Sequence, residues 1–205
     1  MAASVLLTIG ERPDLLQALV EKAKVIKPGS GQGEMGPVID ERSLARMHEF
    51  VEESTTKFGA SLLLDGRGWA KPGQGYWMGP TILLCKDKQD PSLHVEIFGP
   101  ILSIYVCQGF EEAITIENTS PYGNAACIYT ETGKTADWFT ERFSAGMLGV
   151  NIGVPVPREP FSFGGINASK FGDFDITGDG GMEFFSYRKK VTTKWLPPQN
   201  QTWLN

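Results

Sequence analysis

Cysteine is scarce in this chain, and its three examples, Cys85, Cys107 and Cys127, stand far apart with no Cys-x-x-Cys pair and no histidine at a ligand spacing. That excludes a disulfide framework and a zinc ribbon, and an odd, sparse count suits a reducing compartment, so a cytoplasmic protein without a metal site is expected. Histidine is scarcer still. Neither His48, read as a surface or edge residue of a helix, nor His94 has a paired acid in a triad-like order. No apolar run reaches the eighteen residues that a membrane helix needs. Residues 1–10 hold an apolar stretch (Val5, Leu6, Leu7, Ile9) without a basic leader or a cleavage site, and they read as a buried strand. Basic residues are outnumbered, 19 against 24 acidic ones, and only Arg188, Lys189 and Lys190 cluster. A formal charge of −5 gives no long-range pull on a polyanion, so nucleic acid is not an expected partner.

What is present is an ordinary globular composition. Hydrophobic residues at 41% and charged residues at 21% argue against disorder, and 205 residues suffice for one domain with a trailing arm. Pro13 followed by Leu16, Leu19, Val20 and Ala23 signals a helix closed by Pro28 and Gly29. A second helix begins after Asp40, with Leu44, Met47, Val51 and Phe58 on one face and Gly59 at its end. The glycine-rich stretch between them follows no strand and carries no Lys-Ser or Lys-Thr, so it reads as a connector rather than a phosphate cradle. Residues 61–64, 81–84, 101–107, 127–130 and 147–151 read as strands, and 110–118 and 134–143 as helices. This alternation predicts an α/β fold with a mostly parallel sheet flanked by helices. From 151 to 181, Pro155, Pro157, Pro160 and repeated glycines predict a long shaped loop, of the kind that more often serves function than packing. A short helix over 182–187 and a protruding C-terminal strand over 190–195, with alternating Val191, Thr193 and Trp195, complete the pattern before a tail that leaves the domain.

The most informative string is His94-Val95-Glu96-Ile97-Phe98-Gly99-Pro100, between a polar turn and the strand that starts at Ile101. With Ser120-Pro121-Tyr122-Gly123-Asn124-Ala125-Ala126, Gly149-Val150-Asn151 and Phe163-Gly164-Gly165 in this order, the chain resembles the aldehyde dehydrogenase superfamily from Met1 to about Trp195. Pro155-Val156-Pro157, Phe161-Ser162-Phe163, Ser169, Phe171-Gly172-Asp173 and the ending Lys190-Val191-Thr192-Thr193-Lys194-Trp195 are similar to the methylmalonate-semialdehyde (malonate-semialdehyde) dehydrogenases. The Ser-Gly-x-Gly-Arg-Glu pattern that ordinary members place after the double glycine is absent. The resemblance implies NAD as cofactor, a cysteine thioester, and transfer of the acyl group to coenzyme A. It also implies residues 1–188 as the substrate-side part of a catalytic domain, incomplete at its N-terminus, and 189–205 as an oligomerisation strand and tail.

Such chemistry needs a thiolate, donors for an oxyanion and a hydride acceptor held on a dinucleotide fold. The family's Gly-Gln-x-Cys nucleophile motif and a phosphate-binding loop after an early strand are both absent. Met1-Ala2-Ala3-Ser4-Val5 resembles the segment that directly follows the nucleophile, so no residue is expected to be catalytic, and NAD is not expected to bind tightly to this chain. Cys107 and Cys127 fall in apolar strands and Cys85 beside Lys86, none with a base nearby in sequence.

For Glu96 three readings stand side by side: a solvated loop carboxylate, a hydrogen-bond clasp within the tight Gly99-Pro100 turn, or, as the resemblance implies, an acceptor for the nicotinamide ribose hydroxyls with Phe98 near the ring. Phe161 and Phe163 with their glycines are either core packing or, with Asn151, the lining of an acyl-substrate pocket. Partners follow from the same resemblance: a homo-oligomer, or association with a full-length or N-terminal-half chain through the C-terminal strand. A non-enzymatic remnant that acts only by such pairing is the alternative.

Overall fold

The computed structural model describes residues 3–69 and 75–195. Strand β1 (Val5–Ile9) leads into helix α1 (Pro13–Lys24), with Pro13 in its first turn and Lys22 and Lys24 in its last, where they complement the helix dipole. Helix α2 (Glu41–Thr56) starts at Asp40, whose carboxylate accepts the Ser43 amide at 2.7 Å, and ends before Gly59 in the left-handed region at φ 67°. Strands β2 (Ser61–Leu64), β3 (Thr81–Cys85) and β4 (Ile101–Cys107) complete a sheet of order β1-β4-β3-β2. The β1/β4 and β4/β3 pairs are parallel and β2 is antiparallel to β3, so the sheet is mixed and mostly parallel.

Register explains the core. Val5, Ser103 and Leu83 are cross-strand partners, so by the two-residue repeat Leu7, Tyr105, Cys107 and Cys85 share their face. Met47 and Val51 of α2 pack there against Leu83, Cys85 and Ile101, and the helix α3 (Phe110–Asn118) adds Ala113 and Ile116 against Cys107. Met47, Val51, Leu83 and Cys107 are completely buried, and each large apolar side chain so placed contributes about 1.5–3 kcal/mol of transfer free energy.

The second half is built from smaller sheets. Strand β5 (Tyr122–Gly123) pairs antiparallel with β8 (Ile166–Asn167), and β6 (Ala125–Ile128) pairs parallel with β7 (Met147–Val150). Helix α4 (Gly133–Arg142) meets α3 through aromatic edges, Phe110 to Trp138 at 5.1 Å between ring centres, and buries Phe139 beside Phe143 at 4.5 Å. Asn118 ties the two helices, donating to the Arg142 carbonyl at 2.9 Å and accepting the Ser144 amide at 2.8 Å.

Four expectations are corrected. The parallel units do not form one sheet among the described residues but a four-stranded sheet and a separate parallel pair. The strand read at 127–130 begins two residues earlier, because the ladder with β7 captures Ala125 and Ala126 despite their weak strand propensity. The last helix, read at 182–187, is α5 (Gly178–Phe184), whose glycines hide it from a propensity argument. Residues 190–195 form no ladder among the described residues, and a strand needs a partner to be one. The tail at 196–205 lies outside the described residues. No helix among the described residues is long and apolar enough to cross a membrane.

Candidate functional site

The turn before β4 is assembled from below by α2. Asp90, fully buried, caps a 3-10 turn (Pro91–Leu93); its Oδ1 accepts the Ser92 amide at 2.9 Å and the Ser54 hydroxyl of α2 at 2.8 Å. Leu93 and Ile97 then drop into the core. One helical stretch back along α2, Arg46 donates from Nη2 to the Ile97 carbonyl at 2.5 Å and from Nη1 to the Glu96 carbonyl at 3.4 Å, its guanidinium 5.9 Å from the Phe50 ring centre. Gly99 passes so near Met47 that a Cβ there would lie 2.3 Å from its terminal methyl. The Pro100 carbonyl accepts the Thr81 amide at 2.8 Å, which delivers the chain into register between β3 and β4.

Anchored this way, the turn shows solvent the side chains of Val95, Glu96 and Phe98. Phe98 is 76% exposed at φ 62°, a left-handed conformation that costs a bulky residue about 1–2 kcal/mol and that no burial offsets. The Glu96 side chain is exposed, and no donor among the described residues reaches its carboxylate. The clasp reading of Glu96 therefore fails for its side chain, since the clasp is made by its backbone carbonyl.

The loop after β7 starts with a second backbone exception. Asn151, at φ 57°, turns its side-chain amide back to act as a strand neighbour: Oδ1 accepts the Thr130 amide at 2.9 Å and Nδ2 donates to the Thr130 carbonyl at 3.0 Å. Further on the loop closes on itself. The Phe163 amide donates to Thr177 Oγ1 at 2.9 Å, the Ile176 amide to the Phe163 carbonyl at 3.1 Å, and Lys170 pairs with Asp175 at 2.9 Å. Phe161 is 70% exposed and Phe163 half-buried. The double glycine lets two segments touch: a Cβ on Gly165 would lie 3.1 Å from Cα of Asn124, and one on Gly164 would strike the Asp175 carboxylate. With β5 against β8 and the Gly123 amide bonded to Ser169 Oγ at 3.2 Å, the 120–126 turn and the 163–169 segment form one unit.

The structure thus joins Asn151 to β6, and Phe161 and Phe163 to the loop's own closure. Among the described residues no hydrogen bond or ion pair links that loop to the Glu96 turn. An open concavity lined by Asp179, Met182, Glu183, Ser186 and Arg188 gathers none of these five residues.

None of the cysteines is set up as a nucleophile. Burial pushes Cys85 up to about 12, its hydrogen bond with Ser92 opposing and the Asp90 charge adding to the shift, and burial lifts Cys107 to about 11 with the Glu112 charge behind it. Cys127, half-buried against the Gly153 carbonyl at 3.4 Å, is also raised by burial. His48, read as a surface or edge residue, is half-buried with Nε2 enclosed and unpartnered, and the described residues hold no cluster that could bind a metal. In the glycine-rich connector, Glu34 accepts the Gly31 amide at 2.8 Å, so a carboxylate of the chain itself fills the space that a phosphate would need.

Sequence reasoning missed Arg46 and Asp90. Arg46 left one signal, a cation beside Met47 and Phe50 on the apolar stripe of α2. Asp90-Pro91-Ser92 left another, since Asp before Pro is a cap pattern.

The family model described as the aldehyde dehydrogenase family matches residues 1–191. Malonate-semialdehyde dehydrogenase 1 of Geobacillus thermodenitrificans (strain NG80-2) is 41% identical over 203 residues, covering 95% of this chain and 41% of that protein. A malonate-semialdehyde dehydrogenase 2 of Bacillus thuringiensis (strain Al Hakam) is 40% identical over 200 residues with the same coverage, 95% and 41%. The crystal structure of methylmalonate-semialdehyde dehydrogenase from Oceanimonas doudoroffii superposes with a TM-score of 0.88 at 29% identity, over 96% of this chain and 41% of that one. An inferred methylmalonate-semialdehyde dehydrogenase from Sinorhizobium meliloti 1021, solved in complex with NAD, gives 0.86 at 31%, over 95% and 41%. The chain spans about two fifths of the length of these relatives. With the family match running over nearly the whole chain, and the likeness holding in sequence and backbone alike, the chain belongs to the aldehyde dehydrogenase family.

Proposed function

We propose that this chain is the C-terminal, substrate-side portion of an NAD-dependent, CoA-acylating malonate- or methylmalonate-semialdehyde dehydrogenase, and that alone it is inactive. The observation that carries the reading is the Glu96 turn: an unpartnered carboxylate and an exposed, strained aromatic are held out to solvent by a backbone fixed on three sides. A carboxylate without a partner suits vicinal ribose hydroxyls, and a flat exposed ring suits a nicotinamide face. NAD supplies hydride acceptance when bound. The chain's own contribution is orientation at the nicotinamide end, with Glu96 as hydrogen-bond acceptor and Phe98 as packing surface. Asn151, Phe161 and Phe163 set and line the acyl pocket, Asn151 by fixing the loop through Thr130 rather than by touching substrate.

The described residues fit that end of the cofactor only. One charged hydrogen-bonding group contributes about 1.5–3 kcal/mol, which leaves affinity in the millimolar range or weaker. Inactivity is supported by the absence of the Gly-Gln-x-Cys motif from the sequence and by burial, which raises all three thiols. Nicotinamide mononucleotide titrated into the labelled chain tests the reading by NMR. Amide shifts at Glu96 and Phe98, abolished in Glu96→Ala, are expected; no response at tens of millimolar overturns it.

Association is the second reading, and a separate observation favours it. Phe171, Phe185, Tyr187 and Trp195 are at least 85% exposed, and 190–195 is a strand pattern without a ladder among the described residues. Exposed aromatic rings and a strand pattern without a ladder both favour a partner, here a second copy or a full-length relative, in a cytoplasmic setting. Light scattering is expected to show more than one chain per particle, and an unchanged single-chain mass after deletion of 190–205 refutes it.

A further inference from the structure

We infer that Arg46 is a positioning residue of the Glu96 turn: by holding the carbonyls of Glu96 and Ile97 together, it sets how the Glu96 carboxylate and the Phe98 ring are presented. Its functional consequence rests on the nicotinamide reading above, whereas the clamp itself is a property of this fold.

The two carbonyls have no other donor among the described residues; the backbone hydrogen bonds of the segment go to Pro91, Gly99 and Pro100 instead. The Ile97 carbonyl, whose contact is part-buried, would be costly to leave unpaired, whereas the Glu96 carbonyl lies at the exposed edge of the same clamp. Arg46 satisfies both from one planar group, through Nη2 at 2.5 Å and Nη1 at 3.4 Å. The ring of Phe50, one helical turn further along, holds the guanidinium at 5.9 Å and limits its swing.

The same helix grips the other end of the segment. Ser54, eight residues or about 12 Å further along α2, donates to buried Asp90, which caps the preceding turn. Between the two grips, Leu93 and Ile97 are buried while Val95, Glu96 and Phe98 stay out. Apolar anchoring fixes the depth of the segment but not the rotation of its peptide planes. Arg46 fixes that rotation. A lysine could keep the charge and reach one carbonyl, but its ammonium has no planar fork with which to hold two.

Arg46→Met keeps the length and apolar contact of the side chain, and Arg46→Lys keeps the charge, so the pair separates packing, charge and the double donor. Both are compared with the unaltered chain by amide exchange at Val95 and Ile101, whose acceptors, the Pro91 and Gly99 carbonyls, flank the clamp. Loss of a charged hydrogen bond moves a local opening equilibrium about ten-fold or more. Exchange at Val95 and Ile101 is therefore expected to quicken about that much in both variants, with the amides inside α2 unchanged. Nicotinamide mononucleotide shifts at Glu96 and Phe98 should weaken in parallel. Retained protection in Arg46→Met, restoration by Arg46→Lys, or equal loosening along all of α2 overturns the inference. If Arg46→Met does not fold, Arg46→Lys decides on the same readout. A wild-type chain that ignores the mononucleotide removes the nicotinamide reading and leaves the clamp to be judged by exchange alone.

Discussion

Gly146 sits where β7 begins, with its amide bonded to the Gly123 carbonyl at 2.9 Å, and it faces the double glycine of the substrate-side loop. A Cβ at this position would lie 2.4 Å from the Gly164 carbonyl oxygen and 2.8 Å from Cα of Gly165. Both obstacles are backbone, so no side chain can swing aside, and the loop must withdraw by roughly 1 Å to reach an ordinary contact distance. Overpacking of this kind costs about 1–3 kcal/mol. What yields is decided by which attachment is weaker. The loop is held here by the two-residue β5/β8 pairing, the Ser169 hydroxyl and the Ala168 amide on the Pro121 carbonyl, each net hydrogen bond being worth about 1 kcal/mol. The four-stranded core has no part in the clash. Gly146→Ala is therefore expected to free the loop locally: amide exchange at Ala168, Phe163 and Ile176 rises at least ten-fold, while exchange in β3 and β4 stays as before. Gly133→Ala is the control, because a Cβ there meets nothing within 4 Å and a helix gains from alanine. Unchanged loop protection in Gly146→Ala, or the same change in both variants, refutes the reasoning.

Thiol labelling of the native chain at pH 8 should modify Cys127 alone and slowly, because Cys85 and Cys107 are buried with raised pKa values of about 12 and about 11; mass spectrometry showing prompt modification of Cys85 before denaturation counts against this. Glu117 carries a carboxyl raised by burial and opposed by the Ser144 amide, so its ionised form costs stability above the unfolded-state pKa, and that cost disappears as pH falls below it. Glu117→Gln keeps an acceptor for Ser144 and should be the more stable protein at neutral pH, its advantage shrinking toward acid in urea titrations at several pH values; an advantage that grows toward acid contradicts the assignment.

Elements with a local signature were readable residue by residue. Strands 61–64 and 101–107 and helix 110–118 stand where alternation and periodicity put them, and α2 starts at the Asp40 cap that announced it. What failed were readings that depend on a partner. Ala125 and Ala126 are strand because Met147 and Leu148 lie beside them, and α5 begins among glycines because the chain around Asp175 and Pro160 leaves no room for a Cβ at Gly178 or Gly180. The separation of β6 and β7 from the larger sheet is likewise invisible in any single segment. For the site, Glu96 and Phe98 were recognisable as a string, but nothing in that string names Arg46, fifty residues earlier, as the group beneath it.

The backbone offers its own sorting of this site. Phe98, Asn151 and Asn167 are the non-glycine residues with positive φ among the described ones, at 62°, 57° and 54°. Asparagine tolerates that region because its amide can bond locally, and Asn151 uses it on Thr130. Phenylalanine has no such compensation. Its conformation persists because neighbouring atoms leave the chain no alternative: Ile97 is sunk in the core before it, Gly99 is pressed on Met47 after it, and Arg46 holds the carbonyls of residues 96 and 97. Strain that is imposed from the core side on an exposed ring contributes nothing to the stability of this chain. Asn167 lies in β8, in the unit that also holds the double glycine. The non-glycine residues of positive φ among the described ones therefore fall in the segments 94–100 and 149–151, which carry the family likeness, and just beyond the double glycine at Asn167, while the four-stranded sheet holds none, its irregularity being a register shift between Leu62 and Leu64.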